Sequence, residues 1–92
     1  MYFSHSLPYT LTDLSQFLNT RLKDKSLHKI IKLKNVGLTL GANEVDLLEI
    51  TNSEFVNKSR KSVWILARQH PGETTSGLML EGIIDFLLSG TD

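Results

Sequence analysis

Five consecutive apolar residues at positions 63–67, Val-Trp-Ile-Leu-Ala, constrain the fold of this chain more than any other feature. The run does not alternate between apolar and polar residues, as a strand with one solvated face does, so it predicts a strand buried on both faces. Such strands lie in the middle of α/β sheets. Because Pro71 and Gly72 disfavour a regular helix directly after the run, a loop is expected there.

The helix predicted after this loop, over residues 74–89, is apolar around most of its circumference, and Gly90 is expected to stop it. Its less apolar positions form one stripe, which comprises Thr74, Gly77, Glu81 and Asp85. A helix with so much apolar surface is buried on several sides. A chain of 92 residues does not supply enough neighbours to cover it. We therefore expect an incomplete α/β domain.

The preceding residues predict an amphipathic helix and a hairpin. Leu14, Leu18 and Leu22 share one face of a helix over residues 11–23, with Thr10 or Thr12 as its N-cap. Extended structure is predicted across residues 30–40, in one or two pieces. A turn at residues 41–43 is expected within a hairpin over residues 38–51. Residues 52–62 are mostly polar and are predicted to form a loop.

Composition excludes several classes of protein. The chain has no cysteine, which rules out a disulfide framework and a thiolate zinc finger. Its ten basic and ten acidic residues balance, whereas nucleic-acid binders usually carry a basic excess. The most apolar stretch, residues 78–88, contains two carboxylates and is too short to cross a membrane. Because residues 1–10 also lack a signal-peptide pattern, we expect a cytoplasmic protein without nucleic-acid or membrane partners.

The basic residues are unevenly distributed, since six of the ten lie between Arg21 and Lys34. No aromatic residue is interleaved with them, so the cluster lacks the stacking platforms of a single-strand nucleic-acid binder. A solvated surface is the simpler interpretation. The alternative is a patch that attracts an acidic partner.

His70 and Glu73 are the candidate metal ligands. Both follow the predicted buried strand, and ligands of open α/β sheets bind beyond the carboxyl ends of such strands. A turn between them can bring both side chains to one point, and an imidazole nitrogen with a carboxylate suits zinc. The alternatives are a glutamate that complements the helix dipole and a histidine with an ordinary surface role. His5 and His28 are expected to have such surface roles.

Two stretches around these residues carry a family resemblance. Ala-Arg-Gln-His-Pro-Gly-Glu-Thr at 67–74 and Gly-Ile-Ile-Asp-Phe-Leu-Leu-Ser at 82–89 closely resemble the cytosolic carboxypeptidase branch of the zinc metallocarboxypeptidases. Upstream, residues 2–4 and 8–10 resemble the segment that leaves the family's N-terminal β-domain, and residues 38–48 resemble the first hairpin of its catalytic domain. Secreted digestive members usually have an arginine directly before the ligand glutamate. This chain has Gly72 there, as in the cytosolic branch.

The resemblance implies a partial zinc-carboxypeptidase-like mixed sheet with flanking helices. Residues 1–10 would end a preceding N-terminal β-domain or linker, and residues 11–92 would be the first part of the catalytic domain, truncated after its first helix. His70 and Glu73 resemble the first two ligands of one Zn²⁺ ion. The third ligand, a histidine, and the general-base glutamate are expected downstream of this chain, so no catalytic residue is expected within it.

The implied activity is that of a zinc metallocarboxypeptidase that removes C-terminal or side-chain glutamates from acidic proteins or peptides such as tubulin. The 92 residues alone are expected to be inactive. The alternative is a short non-catalytic interaction fragment or pseudoenzyme derived from that family. It predicts weak or absent zinc binding and exposed apolar surface that seeks a partner.

Overall fold

Two helices and a two-stranded antiparallel sheet form the described part of the chain in a computed structural model, which covers residues 1–52, 54 and 59–90. The elements are α1 (Leu11–Lys23), a 3₁₀ turn (Lys25–Leu27), β1 (Ile31–Leu38), β2 (Glu44–Ile50) and α2 (Thr74–Leu88). This partial α/β arrangement confirms the fold class expected from the sequence. Across the described residues, no helix has the length and apolar character that a membrane span requires.

Helix α1 has the bounds predicted from its apolar stripe, because a capping box fixes its start. The Thr10 hydroxyl accepts a hydrogen bond from the Asp13 backbone N–H at 3.1 Å. The Asp13 carboxylate in turn accepts one from the Thr10 backbone N–H at 2.7 Å. These bonds satisfy two backbone donors at the helix start, so Thr10 rather than Thr12 is the N-cap.

The predicted hairpin forms, but its strand pairing begins at Ile31, before the hairpin predicted over residues 38–51. β1 and β2 pair antiparallel from Ile31 opposite Ile50 to Leu38 opposite Glu44, with an irregularity between Asn35 and Leu38. The connecting turn is closed by Thr39 and Asn43, whose N–H and carbonyl lie 2.8 Å apart. β1 therefore includes the predicted extended residues from Ile31 onward in one piece.

The core lies where α1, α2 and the end of β2 meet. Phe17, Leu18 and Ile84 are buried together. Five partly buried residues pack around them: Leu14, Leu48, Ile50, Leu80 and Leu88. At the edge of this core, the Arg21 guanidinium donates to both carboxylate oxygens of Asp85 at 2.7 Å. The two helices are thus joined by apolar packing and by one bidentate ion pair.

In addition to its apolar core contacts, helix α2 contacts the N-terminal segment through the stripe of less apolar positions. Thr74 meets Ser6, with their hydroxyl oxygens 2.9 Å apart, and Glu81 accepts a hydrogen bond from Tyr9 at 2.6 Å. Meanwhile Met79 and Phe86 are more than half exposed. The prediction that this helix is buried on several sides is wrong. Its small and polar positions contact the N-terminal segment, while part of its apolar surface faces solvent. It ends at Leu88, and Gly90 follows with φ of 65°, so the predicted stop is confirmed.

The strand predicted at residues 63–67 is the main error of the sequence-based fold. The structure assigns no strand there, and Val63, Trp64 and Leu66 are 85%, 73% and 72% exposed. A strand buried on both faces requires adjacent strands that accept its backbone hydrogen bonds, and β1 and β2 pair only with each other among the described residues. In the loop predicted at residues 52–62, position 53 and positions 55–58 lie outside the described residues, and the others lie outside helices and strands.

Candidate metal centre

A four-residue turn directly before α2 carries both candidate ligands. The Glu73 backbone N–H donates to the His70 carbonyl at 3.1 Å, which closes the turn around Pro71 and Gly72. Pro71 is the first central residue of this turn, where proline is favoured because its fixed φ suits that position. Gly72 does not adopt a positive φ, which excludes a type II turn. The chain therefore reverses between His70 and Glu73 and leaves both side chains on the same short loop.

The two side chains meet at their donor atoms. His70 Nδ1 lies 2.8 Å from Glu73 Oε1, and the His70 backbone N–H donates to Glu73 Oε2 at 3.2 Å. The hydrogen bonds from the His70 ring and backbone lower the pKa of Glu73 below its usual range. The Glu73 carboxyl group is therefore ionised at neutral pH, which is the form that binds metals.

Glu73 does not act as a conventional helix cap. It is the N-cap residue of α2, yet its side chain makes no capping hydrogen bond to the helix. The carboxylate is instead hydrogen-bonded to the backbone N–H and the ring of His70. The alternative in which Glu73 only complements the dipole of α2 therefore does not explain why its carboxylate is turned toward His70. Its charge still complements the helix dipole.

The donor set and spacing fit one zinc ion. Donor atoms that share a tetrahedral zinc lie roughly 3.4 Å apart, since each bond is about 2.0–2.2 Å long. The distance between His70 Nδ1 and Glu73 Oε1 is 2.8 Å, so it needs to increase only slightly to reach that spacing. The side chains of His70 and Glu73 are 77% and 50% exposed, so an ion can reach them from solvent. No third His, Asp or Glu completes a metal cluster in the part of the chain that the structure describes, and the role of the pair as zinc ligands stays a prediction.

The other two histidines have the ordinary positions expected of them. His28 Nε2 lies 2.7 Å from the Leu22 carbonyl, at the end of α1, where a ring nitrogen can satisfy a carbonyl that the helix leaves open. His5 is exposed in the N-terminal segment. Neither belongs to a metal-capable cluster of described residues.

Sequence reasoning missed Arg68, which supports the turn from outside. Its guanidinium donates to the Pro71 carbonyl at 3.2 Å and to the Tyr9 carbonyl, and its backbone N–H donates to Ser76 Oγ at 2.9 Å. Arg68 also has φ of 55°, in the left-handed region, which a non-glycine residue seldom adopts. Its only sequence signal was a basic residue two positions before the candidate histidine.

Comparison with known proteins gives consistent similarities. The profile of the zinc carboxypeptidase family matches residues 16–92. Cytosolic carboxypeptidase 2 of Xenopus tropicalis is 35% identical over 91 residues, which cover 96% of this chain. Cytosolic carboxypeptidase 3 of Bos taurus is 37% identical over 94 residues, or 98% of the chain. Cytosolic carboxypeptidase 6 of Mus musculus is 35% identical over 89 residues, or 95% of the chain.

These matches cover a small part of each relative. The chain spans 9% of the length of the Xenopus tropicalis and Bos taurus proteins and 16% of the Mus musculus protein. No solved structure matches the chain.

Proposed function

Because this chain belongs to the zinc carboxypeptidase family, we propose that it is part of a cytosolic-type zinc metallocarboxypeptidase in which His70 and Glu73 hold one zinc ion. The observation that carries the proposal is the approach of His70 Nδ1 to Glu73 Oε1 at 2.8 Å. The family match supports zinc as the metal for this pair, and the proximity of the two side chains supports a site within the chain.

The two side chains have separate tasks at this site. Glu73 supplies a charged oxygen, and the His70 backbone N–H holds its second oxygen. His70 can offer Nδ1 as a ligand only when that nitrogen carries no proton, so its hydrogen bond to Glu73 would be given up when a metal binds. A zinc ion held by His70 and Glu73 would supply Lewis-acid chemistry for polarising the scissile carbonyl and activating a water molecule.

We propose that the remaining machinery lies outside these 92 residues. Two ligands are fewer than the three that catalytic zinc usually takes from the protein, and the resemblance assigns a histidine ligand and a glutamate base to downstream positions. The small share of each relative that the chain spans supports this division. On this proposal the chain alone is inactive, residues 1–10 precede the catalytic domain, and residues 11–92 begin it.

The proposed substrates are proteins or peptides with glutamate at the C-terminus or on side-chain branches, tubulin among them. Gly72, in place of the arginine of digestive members, and the similarity to cytosolic carboxypeptidases support this substrate class. The names of these relatives also support a cytoplasmic location.

The exposed apolar residues 63–66 favour the second candidate function, a non-catalytic interaction fragment.

Zinc titration of the 92-residue chain and of the protein that carries it in the cell tests the metal site. We expect both His70→Ala and Glu73→Ala to reduce zinc affinity by at least tenfold, because each removes one ligand. His5→Ala is the matched control, since it deletes an exposed imidazole outside the turn. Equal zinc affinity in all three variants would refute the assignment.

Peptide hydrolysis tests the activity separately. The protein that carries the chain should release glutamate from a peptide that ends in glutamate and should act poorly on one that ends in lysine, while the 92 residues alone should cleave neither. Zinc binding without hydrolysis by the carrying protein would favour the non-catalytic candidate. Hydrolysis by the 92 residues alone would show that they contain a complete site.

A further inference from the structure

The two candidate ligand side chains are too exposed to hold the His70–Glu73 turn in place by packing. His70 and Glu73 are 77% and 50% exposed, so packing does not fix their rotamers. An ion pair at such exposure contributes little by itself. The geometry of the turn therefore depends on hydrogen bonds to its backbone, among them those that Arg68 donates to the Pro71 carbonyl.

Arg68 joins three parts of the molecule. Within the turn, its Nη2 donates to the Pro71 carbonyl at 3.2 Å. In the N-terminal segment, its Nη1 donates to the Tyr9 carbonyl. At the start of α2, its backbone N–H donates to Ser76 Oγ at 2.9 Å, and Ser76 Oγ donates to the Glu73 carbonyl at 2.6 Å.

The Tyr9 end of this bridge is anchored firmly. Tyr9 is only 6% exposed, and its ring lies directly against Gly77. Its hydroxyl donates to Glu81 at 2.6 Å. Burial, followed by the hydrogen bond to Glu81, raises the pKa of the Tyr9 phenol, so it stays protonated and keeps donating. A guanidinium attached to this residue's carbonyl is therefore attached to the body of the protein.

The backbone of Arg68 points to the same role. A non-glycine residue with φ of 55° carries a conformational cost. Such a conformation persists where surrounding contacts impose it, and here the contacts are those of the Arg68 N–H and guanidinium. A planar guanidinium can donate to two carbonyls at once, which a lysine ammonium at the same position cannot do with the same geometry.

We propose that Arg68 is a positioning residue for the metal site, which fixes the His70–Glu73 turn by tying the Pro71 carbonyl to the Tyr9 carbonyl. This inference rests on the proposed function for its metal. Arg68 contacts neither candidate ligand side chain and acts through the peptide unit between them. Residues that orient metal ligands typically change metal affinity by about 10–100-fold when mutated.

The test compares four variants by zinc titration. Arg68→Ala and Arg68→Gly should each weaken zinc binding about tenfold, and Arg68→Lys should fall between them and the unmodified chain. Arg68→Gly is informative because glycine accepts the left-handed backbone, so the loss of the guanidinium is not accompanied by backbone strain. Arg21→Ala is the matched control, since it removes another guanidinium that bonds to α2, at Asp85, outside the turn and the Arg68 bridge. It should lower the unfolding temperature and leave zinc affinity unchanged.

Amide hydrogen exchange of the metal-free chain provides an independent readout. The His70 and Glu73 amides both donate within the turn. They should exchange roughly tenfold faster in Arg68→Gly, as expected for loss of a hydrogen bond to a charged group, and at an unchanged rate in Arg21→Ala. Unchanged exchange in Arg68→Gly, or zinc affinity equal to that of the unmodified chain, would overturn the role of Arg68.

The two proposals fail in different ways. If the unmodified chain and its carrying protein bind no zinc, the proposed function is refuted, and the exchange rates still decide whether Arg68 positions the turn. If zinc binds normally and the Arg68 variants match the unmodified chain in both measurements, only the positioning role is refuted.

Discussion

Gly77 shows how a single residue controls the approach of the N-terminal segment to α2. A β-carbon at this position would lie 2.9 Å from two atoms of the Tyr9 ring. The ring cannot easily move away, because its hydroxyl is bound to Glu81 and its backbone carbonyl to Arg68. Glycine is therefore required here by close packing and not by an unusual backbone conformation.

We expect Gly77→Ala to destabilise the chain by about 1 kcal/mol, since the overpacking cost of about 1–3 kcal/mol exceeds the gain in helix propensity. Gly82→Ala is the matched control on the same helix. A β-carbon there meets nothing within 4 Å, so this change should stabilise the chain by about 0.5–1 kcal/mol. Thermal unfolding of both variants measures the difference. Equal effects of the two changes would show that Tyr9 does not occupy its observed position.

Local signals were sufficient to predict both helices and the hairpin. Helix α1 has its predicted bounds because Thr10, Asp13 and the leucine stripe act within a few residues of each other. The hairpin and α2 form for similar reasons, since a turn and a C-terminal glycine are also local features. Proximity of His70 to Glu73 was likewise predictable, because Pro71 and Gly72 close the turn between them.

Features that depend on distant partners were not predictable from the sequence. The apolar run at residues 63–67 indicates a capacity for burial, but pairing depends on strands elsewhere, and the described residues provide none for it. Arg68 was missed for the same reason, since its partner Tyr9 lies 59 residues away. The stripe on α2 was recognised, yet nothing local indicated that it meets Ser6 and Tyr9.

The capping box of α1 predicts a defined pH dependence. Hydrogen bonds from the Thr10 backbone and hydroxyl lower the pKa of Asp13 below its ordinary value of 3.8. The stability that this carboxylate contributes is present above the unfolded pKa and is lost as pH falls through the lower folded pKa. Asp13→Asn should therefore lose less stability than the unmodified chain when the pH is lowered from 7 to 3.

Thermal unfolding at both pH values measures this effect, and Asp46→Asn on β2 provides a control outside any helix. At pH 7, Thr10→Ala should cost about 1 kcal/mol through loss of the N-cap. If Asp13→Asn and the unmodified chain had parallel pH profiles, the capping box would contribute nothing to acid sensitivity.

At the scale of the whole molecule, the chain exposes far more surface than a folded domain of its mass. Its accessible surface is 7853 Å², whereas a compact monomer of 10.4 kDa exposes about 5,400 Å². Its radius of gyration is 15.0 Å, against about 12 Å for a compact domain of this length. Few residues are buried among those described, so we expect a marginally stable molecule.

Urea unfolding should reflect this exposure. The dependence of the unfolding free energy on urea concentration scales with newly exposed surface, so its slope should lie near the lower end of the range for small proteins, about 1 kcal/mol per molar. Trp64, the single tryptophan, is 73% exposed, so its emission should already resemble that of solvated tryptophan and change little while circular dichroism reports unfolding. A blue-shifted native emission that moves to the red in urea would instead place Trp64 in a buried strand.

The contacts of the N-terminal segment and α1 with α2 also determine when this chain can fold during synthesis. Ser6 and Thr74, Tyr9 and Glu81, and Arg21 and Asp85 are separated by 68, 72 and 64 residues. At translation rates of about 5–20 residues per second, the N-terminal segment and α1 are synthesised roughly 3–14 s before their partners on α2. During that interval Phe17 and Leu18 have no partner from α2, and the nascent chain is exposed to chaperones and to premature association.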